Sequence, residues 1–274
     1  MTSPEVSTII LFISYTVSTI FAIFGTICRN EKLKYGSCGF AAFAFIFQTI
    51  LLINGFHKNF ISGLSLGAYL QMFAWFIMLC AIIATIKLKQ IILLIFSSPI
   101  CLVLFMISSP FLKLMINIPS TIKTSFYMLH VGSLYISLSL IFIAFISSLS
   151  FLLIEKSIKQ KARIKGVLAD LPSISNLDKI SYISTILAFP FYTVGLLNGF
   201  FWSSSLYGSV LSGDPKEIVS ILIWFCLAIL FHNRIAKSWK GRKPAKLTIL
   251  IFLLSLFSFV VINTVMKSFH SFIR

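Results

Sequence analysis

The sequence predicts an all-α fold, a polytopic membrane bundle of about eight transmembrane helices with N- and C-termini outside. Three observations carry that prediction. Hydrophobic residues fill 58% of the 274 positions, with 29 phenylalanines and 11% charged residues, more apolar surface than one soluble core of this length covers. Eight apolar runs are each long enough to cross a hydrocarbon layer of about 30 Å, which takes roughly 20 helical residues. Finally, 17 of the 23 Lys and Arg fall in four alternate connections, 28–38, 87–90, 155–180 and 233–246, which the positive-inside rule makes cytoplasmic. A net charge of +16 dispersed in short connections forms no basic face, so it excludes nucleic acid as a partner and leaves the lipid bilayer.

The helices are placed at about 7–27, 38–56, 67–86, 90–110, 127–153, 181–200, 217–233 and 247–267. The first has no basic segment ahead of it, Glu5 before it and Arg29, Lys32 and Lys34 after it; it reads as a retained helix rather than a cleaved signal peptide. The second ends at Asn54-Gly-Phe-His57, and an outer loop with Gly63 and Gly67 leads to the third, which carries Gln71 and Trp75. Pro99 is expected to kink the fourth. An outer loop, Phe111 to Ser125, contains Lys113, Pro119 and Lys123, and His130 opens the fifth helix. The longest connection follows Glu155, basic first and turn-rich later, and reads as a solvated loop drawn to anionic headgroups. The sixth and seventh helices flank Gly199 to Glu217, a polar and aromatic outer loop. No internal repeat or low-complexity stretch is read, so residues 1–274 are taken as one membrane domain.

None of Cys28, Cys38, Cys80, Cys101 and Cys226 falls in an outer segment, which argues against a disulfide framework. A C-x-x-C-H motif is absent, so the chain is not itself a c-type cytochrome. Gln48, Gln71, Asn198 and Asn263 are polar groups within membrane helices and read as interhelical packing contacts. No carboxylate is predicted at mid-membrane, which argues against a proton-coupled transporter.

From Ala188 onward several short motifs stand in order: Gly195 and Gly199 as G-x-x-x-G, Trp202, Gly208, D-P-K-E at Asp214 to Glu217, Trp224, His232 followed by Arg234, W-K-G-R at Trp239 to Arg242, Asn263, and His270-Ser271. In order and spacing this resembles the cytochrome c assembly family, the haem-handling membrane proteins of CcsA and HemX type. The resemblance runs on more loosely upstream, through L-H-V at Leu129 to Val131, and a family core of about 67–273 is expected.

The resemblance implies haem b, transient or bound, cradled by the 199–217 loop. Its implied cofactor-binding residues are His130, His270, His232, Trp202, Tyr207 and Asp214, with His130 and His270 as ligands to the haem iron at the outer face. Tyr207, Leu211 and Gly213 stand where the family's loop carries tryptophans, so Phe200, Phe201, Trp202 and Tyr207 supply the aromatic surface that remains. Chemistry agrees with the analogy, because haem iron takes axial nitrogen from imidazole and the predicted topology puts both histidines outside. Lys123, Lys216 and Lys267 are candidate partners of the propionates, while Asp214 with Pro215 and Glu217 also reads as the cap of the seventh helix. His232 lies near the inner surface, and His57 is left out of the ligand set.

The implied function is a haem-binding protein of the bacterial cytoplasmic (inner) membrane that supports c-type cytochrome assembly by ligation and presentation, with no bond-making catalysis of its own. Its implied partners are haem, a second cytochrome c assembly membrane protein and apocytochrome c. The alternative is a HemX-like, non-catalytic regulator of glutamyl-tRNA reductase and tetrapyrrole synthesis.

Overall fold

The computed structural model describes residues 4–59, 65–111, 125–161, 166–208 and 213–259, and every regular element among them is helical. The helices are α1 (Pro4–Ile27), α2 (Glu31–Asn59), α3 (Leu66–Leu88), α4 (Ile92–Ser108), α5 (Ser125–Lys159), α6 (Ile174–Tyr207), α7 (Pro215–Ala236) and α8 (Arg242–Phe257). Two short 3-10 turns, Ser109–Phe111 and Gly166–Asp170, complete the set. Helices α1 to α7 each contain a stretch long and apolar enough to cross a membrane. The described part of α8 has 16 residues, and the remainder of the predicted eighth helix lies outside the described residues. Large apolar side chains point outward along the helices, Ile9, Ile27 and Ile86 among them at 55%, 67% and 68% exposure, as a lipid solvent allows and water does not. This is a multi-pass membrane helical bundle.

The helices start and stop where local chemistry dictates. Asn30 opens α2, its Oδ1 accepting from the backbone N–H groups of Lys32 at 3.0 Å and Leu33 at 3.4 Å. Ser65 caps α3 by accepting from Ala68 N at 3.1 Å, and Ser173 caps α6 by accepting from Asn176 N at 3.3 Å. Gly208, at φ 69°, closes α6 in the left-handed region that glycine adopts without strain.

Most of the helices exceed their predicted bounds, although α4, Ile92–Ser108, lies inside the predicted 90–110. α2 begins at Glu31 rather than 38, α5 runs on to Lys159, α6 spans Ile174–Tyr207 rather than 181–200, and α8 begins at Arg242. Hydropathy marks the lipid-embedded part of a helix, whereas ion pairs and caps prolong it into water. The Lys159 ammonium, for instance, holds Glu155 one turn earlier at 2.7 Å. One consequence corrects the reading of the 199–217 segment as a loop, because its first half, through Tyr207, is the last two turns of α6. α4 runs without a break from Ile92 to Ser108 with Pro99 inside it.

The chain forms two compact units. The first comprises Met1–Ile118 with Ile164–Pro172 and holds α1 to α4; the second comprises Pro119–Arg163 with Ser173–Arg274 and holds α5 to α8. In the first, the Tyr15 hydroxyl donates to Gln48 Oε1 at 2.6 Å, and Gln48 Nε2 donates to Gln71 O at 2.9 Å. Gln48 is thus the interhelical contact its sequence position suggested, while Asn198 bonds within its own helix, to Val194 O. Asn263 lies outside the described residues. In the second unit, Ile141, Ala188, Tyr192, Ile223, Leu227, Leu230 and Ile251 form the buried core. All five cysteines are free thiols.

Candidate functional site

The site is built on the antiparallel hairpin of α5 and α6 in the second unit. Gly195 and Gly199 lie one turn apart on α6 and together open a groove for side chains of α5. A Cβ at Gly195 would stand 2.7 Å from Leu134 Cγ, and a Cβ at Gly199 would stand 2.6 Å from His130 Cε1 and 2.7 Å from its Nδ1. Leu134 and His130 are themselves one turn apart, so the two small positions of α6 receive the two side chains of α5 in register. His130 is therefore seated edge-on against bare backbone, half-buried.

Its protonation pattern follows from its partner. Nδ1 lies 2.7 Å from Gly195 O, and a carbonyl oxygen only accepts, so the proton is on Nδ1. In the neutral ring Nε2 then carries the lone pair. A backbone carbonyl that holds Nδ1–H is the usual device for orienting a metal-binding imidazole and raising the basicity of its other nitrogen. The indole of Trp202, one turn beyond Gly199, lies nearly parallel to the imidazole at 13°, with ring centroids 6.4 Å apart. These residues fit one axial imidazole ligand for a haem iron, with a flat aromatic neighbour.

Asp214 stands at the start of α7, at the same end of the unit, since α7 runs antiparallel to α6. Its Oδ1 accepts from Lys216 N at 2.8 Å, Pro215 follows at the first helical position, and Glu217 lies in the first turn. The capping role expected of this tetrapeptide is what the geometry shows. The half-buried Lys216 lies within electrostatic reach of both Asp214 and His130.

Of the other predicted residues, the described His232 is not gathered here. His232 is exposed on the last turns of α7, about 26 Å along the helix from Pro215 at 1.5 Å per residue, and belongs to the opposite end. Tyr207 is the last residue of α6, but its side chain, and His270, Lys123 and Lys267 entirely, lie outside the described residues. Among the described residues no three of His, Cys, Asp and Glu converge as a metal cage.

A cluster that motif reading missed lies at the His232 end. Arg234, 3% exposed, donates from Nη1 to Asp178 Oδ1 at 2.9 Å and to Trp239 O at 3.2 Å, and from Nη2 to Ser181 Oγ at 3.2 Å. Asp178 Oδ1 also accepts from Gly241 N at 3.3 Å. The guanidinium thus fastens the W-K-G-R turn and the start of α6 to the end of α7. The signal in the sequence was a carboxylate and an arginine at two helix ends that the topology brings to one side.

A polytopic α-helical membrane protein with an oriented imidazole between paired helices is the class that fold and site define. Residues 4–270 match the family described as cytochrome C assembly protein, and the chain belongs to that family. The match includes the first helices, which lie ahead of the expected family core of about 67–273.

The chain is 28% identical to a protein of Guillardia theta over 96% of this chain and 94% of that one. It is 34% identical to one of Chlamydomonas reinhardtii over 55% of this chain and 41% of that one. A protein of Prochlorococcus marinus (strain AS9601) is 30% identical over 59% of this chain and 58% of that one. All three carry the name cytochrome c biogenesis protein CcsA. In the Chlamydomonas and Prochlorococcus cases the match thus spans less than two thirds of the relative's own length. The HemX-like alternative finds no support in these names.

Proposed function

We propose that this chain handles haem for c-type cytochrome assembly, holding it at the outer face of a bacterial cytoplasmic membrane through His130 and His270. The observation that carries the reading is the Nδ1–H bond from His130 to Gly195 O at 2.7 Å, which leaves Nε2 as an oriented donor atom. Gly199 keeps the ring's flank free of side chain, and Trp202 lies parallel beside it. The names of the relatives, cytochrome c biogenesis protein, agree in kind.

On this reading haem is cargo, and the protein's work is to ligate, orient and release it rather than to make bonds. Two neutral imidazoles give a low-spin iron, and Lys216, with Lys123 and Lys267, supplies positive charge for the propionates. The natural partners are apocytochrome c and a second assembly protein of the membrane.

The chain purified in detergent with haem should show the sharp Soret and alpha bands of a low-spin bis-histidine haem. His130→Ala and His270→Ala should each lose or broaden them. A parent protein that stays colourless after haem supplementation sinks the proposal.

A further inference from the structure

The two units carry the same substructure twice. In the first, the Trp75 indole N–H on α3 donates to Thr49 Oγ1 on α2 at 2.8 Å, and Thr49 bonds back to Phe45 O at 2.7 Å. In the second, the Trp224 indole N–H on α7 donates to Thr193 Oγ1 on α6 at 2.9 Å, and Thr193 bonds back to Phe189 O at 2.9 Å. Phe45 faces Trp75 at 5.4 Å, and Phe189 faces Trp224 at 6.0 Å. Each tryptophan meets the phenylalanine after it edge-on, Phe76 at 5.0 Å and 81°, Phe225 at 5.1 Å and 75°.

The residue before each threonine reaches the carbonyl four residues before each tryptophan. Gln48 donates to Gln71 O at 2.9 Å and Tyr192 to Ser220 O at 3.3 Å. The coincidence extends to the flanking helices. Ser18 of α1 meets Ser37 of α2 hydroxyl to hydroxyl at 3.3 Å, and Ser148 of α5 meets Ser181 of α6 at 2.9 Å. Residues 37, 45, 48 and 49 match 181, 189, 192 and 193 at one constant shift, 144. Ser65 and Asp214, the caps of α3 and α7, match at a second shift, 149, which Trp75 and Trp224 share.

That register exposes a repeat in the sequence. A-F-I-F-Q-T-I-L-L-I-N-G-F from Ala44 to Phe56 and A-F-P-F-Y-T-V-G-L-L-N-G-F from Ala188 to Phe200 are identical at eight of thirteen positions. The topology predicted from the basic connections, with four crossings before α5, puts the α2–α3 and α6–α7 connections on the same side of the membrane.

We infer that the chain is a duplicated four-helix unit, α1–α4 and α5–α8, in which haem handling belongs to the second copy. The second half of this inference rests on the function proposed above; the duplication does not. The copies agree where they pack and differ where the site lies: Gly195 matches Leu51, and Trp202 matches Lys58. The Asn-Gly-Phe that contains Gly199 is common to both, so the glycine is inherited scaffold, and the imidazole set against it is the specialisation. The Trp–Thr clasps are accordingly fold elements rather than parts of a haem cradle, although Trp224 belongs to the family motifs.

The test uses the full chain. Thr49→Val and Thr193→Val remove equivalent acceptors and should lower the melting temperature in detergent by comparable amounts, with haem absorbance per folded protein unchanged. A silent Thr49→Val beside a strongly destabilising Thr193→Val, or the reverse, overturns the duplication. Cysteines introduced as Ser62→Cys and Ser212→Cys, one in each α2–α3-type connection of a chain with its own cysteines replaced by alanine, should react with an impermeant maleimide from the same side. Labelling from opposite sides overturns it equally.

Leu51→Gly, which brings the first copy to the second's residue, should leave the Soret band unaltered. Its loss would show that haem binding is not confined to the second copy. A colourless parent with matched threonine effects and same-side labelling would refute the haem reading and leave the duplication standing.

Discussion

At Gly199 any side chain would break the contact with His130. A methyl group there would overlap the His130 ring at 2.6 Å from Cε1, and the ring cannot retreat without losing its 2.7 Å bond to Gly195 O. Gly199→Ala improves the helix by about 1 kcal/mol in propensity, so the variant should fold while its haem affinity falls about tenfold or more, read as the Soret titration midpoint. At the other end of the same helix Asp178 answers the buried Arg234. Asp178→Ala strands a guanidinium that is 1% exposed in its side chain, and a loss of about 3–5 kcal/mol is expected, measured by thermal unfolding in detergent. Sequence motifs named His130, Gly199 and Arg234 separately. What each touches depends on helix register, which no local pattern encodes.

At the scale of elements, hydropathy located all eight helices and missed most of their ends. It scores transfer into lipid, and the turns beyond Leu153, before Ser181 and after Phe200 are helical for other reasons: an i,i+4 ion pair, a serine cap, and the absence of any breaker before Gly208. The misreading of 199–217 as all loop comes from the polar run W-S-S-S, which looks like a connection to a hydropathy window and continues as helix in the structure. Gly208 was the available stop signal. The Asp214 cap, by contrast, was legible, because D-P-x-E is a local device whose parts need no tertiary partner. Asp214→Ala should cost about 1 kcal/mol and fray the first turn of α7, seen as faster amide exchange there with α5 unaffected.

At the scale of the whole molecule, composition was enough for class, while the duplication stayed hidden. Outside Ala44–Phe56 and Ala188–Phe200 its two copies diverge in hydrophobic identity, and the matched hydrogen bonds of Thr49 and Thr193 supply the register that brings this short match out. Sidedness rests on the basic connections; a reporter fused after Lys165 should read as cytoplasmic, and an external signal would invert the arrangement. The central claim, that His130 offers Nε2 to a haem iron, is tested most directly by chemical rescue. In His130→Gly the low-spin bands should vanish and return on addition of free imidazole, at a concentration that leaves the parent spectrum unchanged. Bands that persist in His130→Gly, or that imidazole fails to restore in a folded variant, would contradict it.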